Sequence, residues 1–280
     1  MSNWEHYKEL GNAEYKKKNY NAAISLYTDG IKENPEQDVL YSNRALCYKS
    51  LSNYKNALYD IDKALTVNPK NVKNLKRKAE LLTITGNVVE AINYFQKVCN
   101  FEPRESSHYT DLANAKNNLN MFNEFIGAYN AEDYIKAEEK GVKLANICSG
   151  SKDVKTKYID CLLNNNKLPE AANFWGKLSD VEKKDDEYLF LICKIFYYEG
   201  NYEKAKTFLK KLISIVNDNP KYNKLYTILN NIEKQKESAN SIFKAGKYEE
   251  AIKEYTKLLD LDPQNKIFNS TIIANRALCK

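Results

Sequence analysis

Five side chains in the first 77 residues could together bind an anion: Lys8, Asn12, Asn43, Lys73 and Arg77. Lys8 and Asn12 are four residues apart, as are Lys73 and Arg77, and side chains with this spacing share one face of an α-helix. Lysine and arginine supply positive charge, and the asparagine amides supply directed N–H donors. The set suits a ligand with two carboxylates, because each charge-assisted hydrogen bond contributes about 1.5–3 kcal/mol.

A 34-residue repeat supplies the helices that carry these side chains. The first copy contains two helical apolar patterns joined by a turn at residues 18–20. Two markers recur at intervals of 34 residues, namely an alanine (Ala23, Ala57, Ala91) and a helix-ending proline (Pro35, Pro69, Pro103). One hairpin cannot bury its own apolar face, so copies must stack, and this period is typical of tetratricopeptide repeats. The pattern predicts an all-α, right-handed solenoid with the first helix of each repeat on the concave side.

The interior of the first hairpin is predicted from residue size. Small residues are expected where its helices touch, namely Gly11, Ala13, Ala22, Ala23 and Gly30. Large apolar residues are expected to fill the remaining space, namely Leu10, Tyr15, Ile24, Tyr27 and Ile31.

The repeat phase jumps twice. The marker alanine next appears as Ala137, 46 residues after Ala91, and a second interval of 46 residues separates Ala205 from Ala251. Apolar residues continue at helical spacing through both 12-residue insertions, so each insertion is predicted to be a capping helix that runs into the next repeat. About seven and a half repeats therefore form three blocks, at 1–118, 119–222 and 223–280. The last repeat is only half present, and we expect the chain to be a fragment of a longer protein.

Composition argues against several other functions. Mean hydropathy is −0.65, and the N-terminus is polar, which favours a cytoplasmic protein without a membrane span. The six cysteines include no C-x-x-C pair and there are only two histidines, so neither a metal site nor a cofactor is expected. The sequence contains neither a phosphate-binding loop nor a nucleophile–base set, so no motif suggests an enzyme. The net charge of +6 is too small for a nucleic-acid footprint but favours acidic ligands.

The five donors resemble the dicarboxylate clamp of tetratricopeptide co-chaperones. In that family the clamp binds the acidic Glu-Glu-Val-Asp tail of Hsp70 or Hsp90. The resemblance implies that Lys8, Asn12 and Asn43 hold the terminal carboxylates. It also implies that Lys73 and Arg77 contact the aspartate side chain and the upstream peptide backbone.

The other two blocks differ at the matching positions. The middle block lacks the donors and contains acids, so no clamp is predicted there, and Phe122 and Phe190 are expected to pack in the core in preference to holding an apolar ligand. The third block begins a partial second clamp with Lys236, Asn240 and Asn275. Four extra residues separate its two asparagines, and the loop at 264–271 is expected to absorb them.

The order of blocks resembles that of the tetratricopeptide-containing DnaJ proteins, which form subfamily C of the Hsp40 class. The His-Pro-Asp motif of a J domain is absent from these 280 residues. The resemblance implies a monomeric adaptor whose partners are chaperone tails, with no nucleic acid or membrane involved. Two alternatives stay open: a scaffold that organises Hsp70 and Hsp90, and a helical solenoid that binds RNA.

Overall fold

The computed structural model describes residues 2–216, 218–263 and 265–280 and consists of helices joined by short turns. In this part of the chain there are fifteen α-helices and no strand: α1 Asn3–Lys16, α2 Tyr20–Glu33, α3 Asp38–Ser50, α4 Tyr54–Val67, α5 Val72–Ile84, α6 Val88–Phe101, α7 Ser106–Asn130, α8 Tyr134–Ile147, α9 Lys152–Asn164, α10 Leu168–Gly176, α11 Asp186–Tyr198, α12 Tyr202–Ile215, α13 Pro220–Lys244, α14 Tyr248–Leu259 and α15 Lys266–Ala277. Seven helical hairpins and one further helix confirm the predicted all-α repeat architecture. No described helix is both long and apolar enough to cross a bilayer.

Each hairpin turns through one residue in the left-handed region. These residues are Lys18, Ser52, Gly86, Glu132, Asn166, Gly200 and Gly246. They recur at intervals of 34, 34, 46, 34, 34 and 46 residues, which are the intervals of the marker alanine. The backbone geometry of the turn is therefore as periodic as the sequence, even where the turn residue is not glycine.

The core of the first hairpin matches most of the predicted residues. Gly11, Ala23, Gly30 and Tyr27 are buried, and Tyr15, Ile24 and Ile31 are half-buried. Three predictions were wrong: Leu10 is 42% exposed, and Ala13 and Ala22 are also exposed. Leu10 and Ala22 each adjoin a buried residue in sequence, so they point about 100° away from the packed face, and Ala13 is turned about 200° from Gly11.

Both insertions are helical and continuous with the repeat that follows, as predicted. α7 and α13 each contain 25 residues, or about 37 Å of helix. The first half of α7 closes the core of the third hairpin, where Leu112 and Ala115 pack with Ala79 and Phe95. The first half of α13 packs in the same manner, because Leu225 and other apolar residues share a core with the α12 residues.

The chain forms two compact units. One contains the chain up to Ala131 together with Glu139–Lys155, and the other contains Glu132–Glu138 and the chain from Thr156. The division into three blocks follows the repeat phase and stays a prediction.

A similar contact follows the long helix in each unit. In the first unit the Gly150 N–H donates to the Ile84 carbonyl at 2.9 Å, so the segment after α8 lies against the C-terminal end of α5. In the second unit the Tyr197 hydroxyl donates to Asp262 at 2.7 Å, so the segment after α14 lies against the C-terminal end of α11. In both cases the next helix begins with a buried polar N-cap, Ser151 or Asn265.

Candidate functional site

The five predicted donors lie on the first helices of three consecutive hairpins. Lys8 and Asn12 are one turn apart on α1, Asn43 is on α3, and Lys73 and Arg77 are one turn apart on α5. The side-chain amide of Asn43 donates to the side-chain carbonyl oxygen (Oδ1) of Asn12 at 3.1 Å, which joins α1 to α3. Arg77 donates to the hydroxyl of the residue before Asn43, which joins α3 to α5. These contacts place the two asparagines and the arginine along one row of helices.

Arg77 is held by a buried polar network that was not predicted from the sequence. Its guanidinium donates to the Ser42 hydroxyl, which in turn donates to Asn74. The amides of Asn74 and Asn71 both donate to one oxygen of Asp38, at 3.2 and 2.7 Å. Ser42 and Asn74 are 2% and 1% exposed, so each needs these partners. The only sign of this network in the sequence was that Ser42 directly precedes Asn43 and that Asn74 lies about one helical turn before Arg77.

The positive groups differ in exposure. Lys73 is exposed, whereas 26% of the Lys8 side chain is accessible. The Lys8 ammonium lies 3.4 Å from a Glu9 carboxylate oxygen and 5.4 Å from the centre of the Trp4 ring. Burial lowers the pKa of the Arg77 guanidinium, which still stays charged at neutral pH. A half-buried guanidinium interacts more strongly with an anion than one in bulk water.

A buried tyrosine also contacts the site. The Tyr27 hydroxyl donates to the Asn12 carbonyl oxygen at 2.8 Å, and Tyr27 is 1% exposed. The Tyr27 ring lies in the core, as predicted. The hydroxyl contact could not be predicted from the sequence, because it depends on the depth at which α2 packs against α1.

The partial second clamp repeats part of this arrangement. The Tyr255 hydroxyl donates to the Asn240 carbonyl oxygen at 2.7 Å. Asn240 and Asn275 line one cleft of about 320 Å³, together with Phe243, Lys244, Tyr255 and Leu278. Lys236 is half-buried one turn before Asn240 on α13. The structure therefore brings the two asparagines to one cleft and places the lysine on the same helix as the first of them. The loop expected at 264–271 is wrong from residue 266 onward, because α15 already begins at Lys266, and residue 264 lies outside the described residues.

The middle block carries different chemistry at the matching positions. The Lys194 ammonium forms an ion pair with Asp160 between α9 and α11. The Phe190 ring lies 4.8 Å from the Tyr222 ring and packs against the core, which agrees with the preferred role of Phe190. Phe122 is half-buried and lines a shallow cleft with Val88 and Leu119. Among the described residues, no group of three or more His, Cys, Asp or Glu could hold a metal ion.

Comparison with known proteins identifies the repeats. One family model described as tetratricopeptide repeat matches residues 39–71, and another with the same description matches residues 186–219 and 239–265. The crystal structure of the P58(IPK) TPR domain aligns with a TM-score of 0.68 at 19% identity, covering 99% of this chain and 78% of that one. That likeness shows the fold.

The curated relatives carry DnaJ names. DnaJ homolog subfamily C member 7 of Homo sapiens is 27% identical over 277 residues, covering 97% of this chain and 55% of that protein. DnaJ homolog subfamily C member 3 of Gallus gallus is 22% identical over 249 residues, covering 88% and 49%. The chain thus spans about half the length of the curated relatives it matches. The chain contains tetratricopeptide repeats at the matched residues and is all-α in fold, and its curated relatives include members of DnaJ subfamily C.

Proposed function

We propose that this chain is a co-chaperone adaptor that binds the acidic C-terminal tail of Hsp70, of Hsp90 or of both. The ligand site is the carboxylate clamp formed by Lys8, Asn12, Asn43, Lys73 and Arg77. The observation that carries the proposal is the hydrogen-bonded row Asn12–Asn43 and Ser42–Arg77, which aligns donors from three helices. The relatives named DnaJ homologs support a role beside chaperones.

Charge and geometry favour a free acid end as the ligand. A C-terminal aspartate offers two carboxylates within a few ångströms, and lysine and arginine cations flank the asparagine pair. The favourable free energy of the clamp contacts is partly offset by the conformational entropy that a flexible peptide loses on binding. We therefore expect micromolar binding, or about −8 kcal/mol. The role is binding without catalysis, by a cytoplasmic and monomeric protein.

Peptide binding tests this function directly. The ligand is a synthetic peptide ending in Glu-Glu-Val-Asp with a free carboxylate, and titration calorimetry measures its affinity. Lys8→Ala should weaken binding at least about tenfold, because a charge-assisted hydrogen bond is worth about 1.5–3 kcal/mol. Arg77→Glu should abolish binding, because it replaces attraction with repulsion. Helical content measured by circular dichroism should be unchanged in both variants.

Lys63→Ala is the matched control. Lys63 is an exposed lysine on α4, a second helix, where its ammonium lies over the Tyr59 ring. Its removal takes away the same charge from outside the clamp and should leave peptide affinity intact. If Lys8→Ala and Arg77→Glu bind as tightly as the unmodified chain, the ligand site lies elsewhere.

The end group and the salt concentration separate a peptide site from a nucleic-acid site. Amidation of the peptide's C-terminus should reduce clamp binding to a weak residual affinity, because it removes one of the two carboxylates. An RNA ligand would show a steep loss of affinity with added salt and no dependence on any peptide end. Strong, salt-sensitive RNA binding together with no peptide binding would overturn the proposal.

A further inference from the structure

One core position in the second helix of each hairpin is a tyrosine only where the first helix carries proposed clamp residues. It lies four residues after the marker alanine and is occupied in order by Tyr27, Ile61, Phe95, Gly141, Trp175, Leu209 and Tyr255. Tyrosine is found there in two hairpins, and these are the two whose first helix carries the lysine and asparagine of a clamp, Lys8 with Asn12 and Lys236 with Asn240. Core packing alone needs no hydroxyl, as Phe95 shows. The hydroxyl therefore calls for a separate explanation.

The hydroxyl fixes the direction of the clamp amide. The Asn12 carbonyl oxygen accepts hydrogen bonds from the Tyr27 hydroxyl at 2.8 Å and from the Asn43 amide at 3.1 Å. With its oxygen satisfied on the protein side, Asn12 keeps its two N–H donors for other partners. Burial raises the pKa of the Tyr27 hydroxyl. The hydroxyl thus keeps its proton at neutral pH.

The backbone of α1 makes room for this contact. A Cβ atom on Gly11 would lie 2.6 Å from the Tyr27 ring, far inside normal contact distance. Glycine at this position lets the ring lie directly on α1, so that the hydroxyl reaches the next residue, Asn12. In the second unit Tyr255 makes the same bond to Asn240 at 2.7 Å with Ala239 in place of the glycine, so the bond itself does not require glycine, and the glycine matters only for the close approach of Tyr27 to α1.

We propose that Tyr27 and Tyr255 are positioning residues that set the amide orientation of Asn12 and Asn240. They make each asparagine present N–H groups, and not its carbonyl oxygen, to a carboxylate. This inference rests on the proposed clamp function and adds a residue that governs its preference for an acid. Without the hydroxyl, the amide can turn and bring its carbonyl oxygen toward the anion, which repels it.

The test compares two ligands on one variant pair. All proteins carry Asn240→Ala, so that the measured peptide affinity is that of the first block alone. The probes are the Glu-Glu-Val-Asp peptide with a free acid end and the same peptide with an amidated end. Tyr27→Phe should weaken acid binding about three- to tenfold, the usual worth of one hydrogen bond, and leave the weak amide affinity unchanged. Tyr20→Phe is the control, since Tyr20 is half-buried on the same helix with its ring 5.5 Å from Tyr15.

The outcomes separate this inference from the clamp itself. If the Asn240→Ala protein does not bind the acid peptide, both the clamp function and the positioning role are contradicted. If it binds but Tyr27→Phe binds equally well, the positioning role alone is overturned. An equal loss for acid and amide peptides would mean a general packing defect and would also overturn it.

Side-chain NMR gives a test that needs no variant at position 27. In the unmodified chain, the Asn12 amide proton signals should shift when the acid peptide is added and stay in place with the amide peptide. Unchanged Asn12 side-chain signals, with backbone signals of α1 and α3 shifting, would contradict the proposed orientation.

Discussion

At the scale of single residues, Arg44 shows how the hairpins that carry the proposed clamp are joined. Its guanidinium makes two hydrogen bonds to the Asp60 carboxylate, at 2.8 and 2.7 Å, and a third to Thr28 at 2.8 Å. These bonds connect α3 with α4 and α2. Asp60 is 1% exposed, so its charge depends on Arg44 for compensation. Arg276 and Thr256 repeat one of these contacts at 3.3 Å in the second unit.

Removal of Arg44 should therefore be costly. Arg44→Met would leave the Asp60 carboxylate buried and unpaired, which typically costs about 3–5 kcal/mol. The double variant Arg44→Met with Asp60→Leu should recover much of that loss, because no buried charge remains. Chemical denaturation followed by circular dichroism measures both.

An exposed ion pair is the control for this prediction. Lys32 and Asp29 form a 2.8 Å pair whose side chains are 71% and 39% exposed. Lys32→Met should change stability by less than about 1 kcal/mol. A loss for Arg44→Met no larger than this would show that Asp60 is solvated and that the pair adds little.

The sequence indicated the five donors of the proposed clamp but not the residues that hold them. Lysine, asparagine and arginine at repeating offsets can be recognised because the offsets follow from the helix and the repeat. Ser42, Asn74 and the hydroxyl of Tyr27 act through neighbours on other helices. Those contacts depend on which side chains face each other after packing, and no spacing within one helix specifies them.

At the scale of elements, the turns inside the hairpins were only partly predictable. The first turn was placed at 18–20, and Lys18 does adopt a φ of 64°. Glycine at 86, 200 and 246 is a recognisable signal for a left-handed residue. Glu132 and Asn166 adopt the same left-handed conformation, but asparagine indicates it only weakly and glutamate does not indicate it at all. At these two turns the repeat spacing predicts the position better than the residue type does.

Two turn glycines provide a matched pair. Gly86 and Gly200 have φ values of 87° and 78°, so alanine is strained at both. A Cβ at Gly86 would also lie 2.7 Å from the Ser151 hydroxyl, whereas nothing lies within 4 Å at Gly200. Gly200→Ala should cost about 1–2 kcal/mol from backbone strain alone.

Gly86→Ala should destabilise the chain more than Gly200→Ala. The added methyl forces the segment before α9 away from the turn and disturbs the buried Ser151 cap, and loss of a cap costs about 1 kcal/mol. Thermal unfolding midpoints of the two variants give the comparison. Equal midpoints would mean that the Ser151 contact moves aside at no cost.

At the scale of the whole molecule, the sequence was most informative, because a repeat multiplies weak local signals. The 12-residue insertions could be placed from the jump in phase, and α7 and α13 run through them without a break. The contacts between Gly150 and Ile84, and between Tyr197 and Asp262, could not be predicted. They join segments some 65 residues apart and arise only because a long helix offsets the repeat that follows it.

The six cysteines provide a probe of the whole chain, since all of them are buried and free. Burial raises the pKa of Cys47 and Cys148 to about 11 and that of Cys161 and Cys193 to about 12, so little thiolate exists at pH 8. The native protein should therefore resist iodoacetamide for hours, while the unfolded chain should react at all six positions. Mass spectrometry of alkylated peptides measures the extent at each cysteine.

In rising urea, the thiols should become reactive at different concentrations, because each repeat contacts only its neighbours. Cys279 should react before Cys47. It follows α15, where Ile267 and Ile273 are 43% and 49% exposed, and its neighbour Leu278 is 73% exposed. Cys47, in contrast, is wholly buried in the core of the first two hairpins. If all six thiols become reactive at one urea concentration, the described chain unfolds as a single cooperative body, and the view of repeats that open separately is wrong.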